Sequence, residues 1–359
     1  MAKLSEEKEI AKYKYQTIKF FPFDVEPGAS LVLTSDPWAF LRAWLEIKIK
    51  NSRGDNKSRL VKAKYFIEQS EGFQDAADKI KLPTKATLVY YSLLNLVKAF
   101  LCSKGLDLEI KQESHGFTLT EIDFEIKIYG KMSNCINIFQ EFCKSLDRPI
   151  KGQTTIELNK VFSDIPEIHE IVFSLGQMPK RKYLPVEIDF ISNVDHNKLF
   201  TEIKYKKENE SRLPTEKFLK GHRLSYFKQI EDHKDGCAIF QSVKKKSYRT
   251  GSSSNLPVIY KNICKEYKNL ELNTLLTREG YKFYVNLNTN PFHQLANVYL
   301  LIFYWGNVAR YRPTVVDKIM TGELYTIMSE SIETCPRQFL YHLTSLMTGN
   351  VCAVPKSKI

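Results

Sequence analysis

Apolar residues recur every three to four positions over Thr87–Lys104, where Leu88, Tyr91, Leu94, Val97, Phe100 and Leu101 fall on one side of a helix. Gly105 follows, a residue suited to the left-handed turn that closes a helix. Trp38, Phe40, Leu41, Trp44 and Leu45 repeat the same period behind Ser35-Asp36-Pro37, which supplies a capping residue and a proline at the first helical position. Asn51–Ser58 reads as a polar loop and Leu60–Phe73 as a second helix. Helical spacing returns over Cys135–Leu146, and after Pro291 over His293–Tyr311, Thr314–Thr321, Tyr325–Ser331 and Pro336–Met347. Alternation of apolar and polar positions instead predicts strands over Phe117–Tyr129, Tyr183–Ile191, Lys198–Tyr205, Cys237–Val243 and Tyr281–Leu287. Asn193–Asn197 is a short polar turn between two of them, Leu224–His233 reads as a helix, and Lys244–Asn255 as a basic, Ser-rich loop.

These elements divide the chain. Residues 1–35 form an N-terminal extension containing Pro22, Pro27 and Gly28, and residues 36–150 are mainly helical. Residues 151–290 are an α+β insertion, and residues 291–359 return to helix. The run Val298–Trp305 is apolar on every side and needs neighbours all round. The expected fold class is therefore α+β: one helical bundle whose sequence is interrupted by a strand-rich insertion.

Composition narrows the partners. The 359 residues are 43% hydrophobic with 22 Phe and 19 Tyr, which excludes a disordered or low-complexity chain. Fifty-three Lys and Arg against 41 Asp and Glu give a formal charge of +12, which favours a polyanion such as RNA or another nucleic acid. The seven cysteines are scattered and form no C-x2-C pair, so neither a disulfide framework nor a cysteine zinc site is expected. No uninterrupted apolar run reaches the length of a membrane span, and the first residues lack an apolar signal segment; a cytoplasmic protein with no membrane partner is the expectation. Nucleotide-binding glycine loops, the G-x-S-x-G elbow and the H-E-x-x-H helix are all absent, so ATPase, dehydrogenase, esterase and zinc-protease readings lose their usual support.

The run Tyr90-Tyr91-Ser92-Leu93-Leu94-Asn95-Leu96-Val97-Lys98-Ala99-Phe100-Leu101, then Gly105 and His115-Gly116-Phe117, resembles HEPN-type helical domains, and among them the YaaC-like family. Asn307-Val308-Ala309-Arg310-Tyr311-Arg312-Pro313 resembles the same family's helix ending. The resemblance implies a mainly α-helical HEPN-like bundle interrupted by the α+β insertion. It also implies a metal-independent endoribonuclease at a homodimer interface, or a toxin-like antiviral effector, with no cofactor. Members carry an Arg-x4–6-His motif, matched in spacing by Arg337 to His342, although Gln338 departs from the usual residue after the arginine. Histidine suits removal of the 2′-hydroxyl proton and arginine suits the charged phosphorane. Five residues on a helix separate the two by about 140°, so a shared site needs a groove or a dimer axis. Asn95, His115 and Arg310 are supporting candidates; each also has a structural reading, as a buried hydrogen-bond partner, a turn residue and a helix-ending cation.

A second pattern lies in the insertion. Val186–Ile191 and Leu199–Tyr205 resemble the Asp…Glu-x-Lys hairpin of PD-(D/E)xK nucleases, with Asp189 and Glu202 as Mg²⁺ ligands and Lys204 placing the attacking water. Lys244, Lys245, Lys246, Arg249 and Arg312, interleaved with tyrosines, are the candidate nucleic-acid contacts. The rival to both enzymes is a non-enzymatic binding or assembly module, homo-oligomeric or joined to a protein partner.

Overall fold

The structure is a computed structural model describing residues 8–21, 25, 31–193, 197–212, 226–231, 236–249, 255–268, 270, 272–288 and 291–355. It is an α+β protein with about 48% helix and 24% strand. The expectation of a mainly α-helical HEPN-like bundle is therefore corrected. A large antiparallel sheet with its own apolar core makes up the second half of the architecture, which a helical bundle carrying a minor insertion does not describe.

The helices in chain order are α1 (Pro37–Lys50), α2 (Gly54–Ala77), α3 (Thr84–Ser103), α4 (Ile138–Ser145), α5 (Leu158–Ser163), α6 (His169–Ser174), α7 (Leu256–Lys268), α8 (Gln294–Tyr311), α9 (Pro313–Thr321) and α10 (Leu324–Thr348). The chain forms two compact units. The helical unit is Thr34–Lys180 with Asn290–Thr348, and the sheet unit is Met1–Leu33, Arg181–Thr289 and Gly349–Ile359.

In the helical unit, Asp36 caps α1 by accepting from the Ala39 N–H at 3.0 Å, with Pro37 in the first turn as the sequence indicates. The α3 helix is the centre of the core: Val89, Tyr90, Leu93, Leu96, Val97 and Phe100 are buried together with Tyr299, Leu300, Phe303 and Trp305 of α8. Two small-residue contacts let backbones approach. Ser70 and Ser92 each donate to the other's carbonyl, at 2.6 and 2.8 Å, tying α2 to α3. Gly306 lies so near α3 that an added Cβ would stand 2.8 Å from the Tyr90 Cβ. Although α3 has the length and apolarity of a membrane span, 72% of its most apolar 18-residue stretch is buried, so its hydrophobicity is used in helix packing.

In the sheet unit the labelled strands are β1 (Lys8–Ile10), β2 (Tyr183–Asn193), β3 (Lys198–Lys206), β4 (Phe227–Glu231), β5 (Cys237–Ser242), β6 (Lys246–Ser247), β7 (Leu272–Thr277) and β8 (Gly280–Asn286). Their order is β4-β5-β3-β2-β8-β7, with β1 beside β2 and β6 beside β3, every pair antiparallel. One face is apolar: Ile188, Phe190, Ile203, Tyr205 and Phe240 share a core with Ile259, Tyr260, Ile263 and Tyr267 of α7. The opposite face carries the charged residues of β2 and β3, because side chains alternate along a strand.

Several elements differ from expectation. Phe227–Glu231 is a strand, not part of a Leu224–His233 helix, because all five residues pair with β5; the flanking positions 224–225 and 232–233 lie outside the described residues. Pro336 lies inside one continuous helix, α10, where two helices were expected. The expected loop Asn51–Ser58 is shorter, since α2 already begins at Gly54. Residues 8–17 and 31–33 contribute strands rather than a plain extension. Helix α7 and strand β7 had no counterpart in the sequence reading.

Candidate functional site

Arg337 and His342 are not brought into one cleft. Arg337 is exposed, whereas His342 is only 2% exposed, between buried Tyr341 and Leu343. Burial, then the nearby His293, pushes the His342 pKa down to about 3, so the ring is neutral throughout the physiological range. A neutral imidazole could accept a proton, but one buried away from solvent cannot meet a 2′-hydroxyl.

The supporting candidates do converge, around Tyr90 and Tyr91. Asn95 is 7% exposed and donates to the Tyr91 carbonyl at 2.8 Å, the buried partner its position in α3 requires. Arg310 donates to the Tyr91 hydroxyl at 2.6 Å and to the Gly306 carbonyl at 3.0 Å. Its guanidinium lies 5.4, 5.1 and 4.9 Å from the rings of Tyr90, Tyr91 and Tyr311. The His115 Nδ1 is 2.6 Å from the Tyr90 hydroxyl. Arg312 is held apart from this cluster by the Thr120 carbonyl and by Asp123, 3.6 Å away.

The sheet unit gathers a different set. In the β2–β3 register Asp189 stands directly opposite Glu202, and Glu187 opposite Lys204, so all four project from the same face. The Lys204 Nζ is 2.9 Å from Asp189 Oδ2, each side chain 31% exposed. Glu202 lies deeper, at 10%, where its Oε1 accepts from Gln241 Nε2 at 2.9 Å and faces Lys8 at 3.8 Å. Gln241 shares the face because β5 pairs it with Glu202. Partial burial acts to lower the Lys204 pKa, but its hydrogen bond to Asp189 and the charges of Asp189, Glu202 and Glu187 outweigh this and raise it. Lys204 is thus a fixed cation, suited to stabilising negative charge and unsuited to taking a proton.

The register places five more lysines on this face: Lys8, Lys19, Lys198, Lys206 and Lys228. Lys8 and Lys245 lie over the Phe200 ring at 5.7 and 5.1 Å. Of the remaining basic candidates, Lys244 and Arg249 are exposed, and the Arg249 N–H donates to Asn255 Oδ1 at 2.8 Å. Lys246 is 2.5 Å from Glu266, so its charge is partly neutralised within the unit. Sequence alternation had identified the two carboxylates and Lys204; Gln241, Lys8 and Lys19 were missed because only strand pairing brings them alongside.

The donor set suits a hard cation. Two carboxylates face one another across a strand pair, and Mg²⁺ is commonly held by one or two carboxylates with water and substrate phosphate completing its shell. Among the described residues no group of three or more His, Cys, Asp and Glu side chains is arranged to hold a metal.

The fold and this face define a two-unit α+β protein with a charged antiparallel hairpin. The chain belongs to the YaaC-like Protein family, whose family model matches residues 31–347. No curated protein and no solved structure matches it.

Proposed function

We propose that this YaaC-like protein is a Mg²⁺-dependent nuclease that cleaves nucleic acid on the charged face of its sheet unit. The observation carrying this reading is the β2–β3 register, which sets Asp189 against Glu202 with the Lys204 ammonium 2.9 Å from Asp189. Asp189 and Glu202 would hold the ion, and when bound it supplies Lewis-acid polarisation of a phosphate oxygen and lowers the pKa of water. Gln241 fixes the Glu202 carboxylate in one orientation by donating to Oε1. Lys204 leaves Asp189 free for the ion by turning toward the scissile phosphate, where its permanent charge balances the charge that builds during attack. Lys8, Lys19, Lys198, Lys206 and Lys228 track the flanking phosphates, a contribution that weakens with salt. Partners and cofactor on this reading are a nucleic acid and Mg²⁺.

One observation favours a second reading, in which the face binds nucleic acid without cutting it: Asp189 is already neutralised by Lys204. End-labelled single- and double-stranded DNA and RNA, incubated with the protein in Mg²⁺ or in EDTA, separate the two. Cleavage that needs Mg²⁺ and falls at least a hundredfold in Asp189→Asn and in Glu202→Gln supports the nuclease. Retained binding with no cleavage by the wild type establishes the binding module instead. Cleavage that survives both EDTA and the double substitution removes the site from the chemistry.

A further inference from the structure

A cavity of about 130 Å³ opens in the helical unit, lined by Leu94, Lys98, Glu113, Ser114, His115 and Ile138. Nothing in the proposed nuclease uses it. Its size is near that of engineered cavities of about 150 Å³ that admit a single six-membered ring, so it suits a group of a few heavy atoms.

The walls are built rigidly. Glu113–Ser114 pairs in parallel with Ile136–Asn137, and Asn137 then caps α4 by accepting from the Gln140 N–H at 2.9 Å while donating to the carbonyls of Tyr129 and Gly130. Gly116 turns the chain with a φ of +89°, and a Cβ there would collide with the Asn137 side chain. The Lys98 Nζ is 2.6 Å from Glu113, and both side chains are 20% exposed; at the His115 ring the effect of Lys98 is larger than that of Glu113.

Donors predominate in what remains. Tyr90 is fully buried and burial raises its pKa, so its hydroxyl keeps its proton, and it shares a 2.6 Å hydrogen bond with the His115 Nδ1 that holds the ring in place. The Ser114 hydroxyl oxygen accepts from the Gly116 N–H at 3.3 Å, which leaves its own proton to give. Leu94 and Ile138 supply the apolar wall.

The charges facing His115 are Lys98 of α3, Arg310 of α8 and Glu113 beside it. Although His115 is an exposed residue overall, its ring leans on Tyr90. Burial, then Lys98 and Arg310, lowers its pKa against the weaker opposing pull of Glu113. The local potential is therefore positive where the donors point.

We propose that this cavity binds a small carboxylate on a short aliphatic body, the carboxylate taken by His115, Ser114 and Lys98 and the body resting on Leu94 and Ile138. The proposal is independent of the nuclease reading. An anion beside the ring stabilises imidazolium, so ligation raises the His115 pKa and binding tightens as pH falls.

The test uses the full chain with three probes, butyrate, butanamide and inorganic phosphate, followed by calorimetry and by the NMR titration of the His115 ring. Butyrate is expected to bind more tightly at pH 6 than at pH 8, by less than the tenfold limit that a rise of about one unit in the His115 pKa sets. Ser114→Phe, which fills the cavity, should abolish that binding and leave Mg²⁺-dependent cleavage unchanged. Butanamide binding as well as butyrate, phosphate binding more tightly than butyrate, or no butyrate binding to the wild type each overturns the proposal, and none of these readings requires the variant to fold.

Discussion

Replacing Glu167 with glutamine should stabilise the helical unit in neutral and alkaline solution and leave it unchanged in acid. The Glu167 carboxyl is buried, with Oε1 accepting from Gln294 Nε2 at 2.8 Å and Oε2 lacking a hydrogen-bond partner among the described residues. Removal from water pushes its pKa up to about 7 from the ordinary 4.5, against the weaker opposing effect of its hydrogen bonds. In the unfolded chain the group ionises as pH passes the ordinary value, while the folded protein keeps the proton until about pH 7. Stability is therefore lost as pH rises between those two values, and the whole penalty is present above the upper one. At about 1.4 kcal/mol per pH unit, the span corresponds to about 3 kcal/mol at pH 8. The amide of the Glu167→Gln variant keeps the shape and removes the titration. Urea unfolding of both proteins at pH 4.5 and pH 8 measures the difference, and groups shared by the two cancel. A gap of about 3 kcal/mol at pH 8 that closes at pH 4.5 is expected. The same offset at both pH values would refute the reasoning, because Glu167 would then be ionised or solvated in the folded state.

Gly306→Ala should destabilise the α3–α8 contact. Pressing a methyl to 2.8 Å from the Tyr90 Cβ costs about 1–3 kcal/mol, which exceeds the gain of about 1 kcal/mol in helix propensity, and thermal unfolding reads the net loss. Gly116→Ala combines a left-handed backbone with a collision at the Asn137 cap. A loss of about 2–3 kcal/mol is expected from the two costs together, measured by denaturant midpoint. His342→Ala opens a hole in the core and should lower stability by at least about 1 kcal/mol more than Arg337→Ala, which should stay within about 0.5 kcal/mol of the wild type. Equal effects would mean that α10 does not bury His342 as described.

Local periodicity carried the helices well where one face meets the core. The 3–4 spacing of Leu88 through Leu101 located α3 within three residues at its start, and alternation located β2 and β3. It failed where tertiary partners decide. Phe227–Glu231 has no strong period of its own and becomes a strand through β5. Pro336 resembles a helix start locally, yet the chain is helical on both sides of it. Spacing also made Arg337 and His342 look like a pair, since no pattern in sequence distinguishes a histidine facing a cleft from one buried in the core. Asp189 and Glu202 were legible because a tight hairpin converts alternation directly into register. Glu167 and the cavity beside His115 were not, since both arise from segments far apart in the chain.

The last described strand, Val351–Ala353, lies parallel to Leu31–Leu33, and both segments of the helical unit fall between them in the chain. Its two segments are separated in synthesis by the entire stretch that supplies β2 to β8, so α3 must wait for α8 and α10 before its apolar sides are covered. A nascent chain paused anywhere before residue 294 presents that helix half-dressed, and rapid dilution or chaperone supply during refolding should govern the yield of this protein more than the sheet unit does.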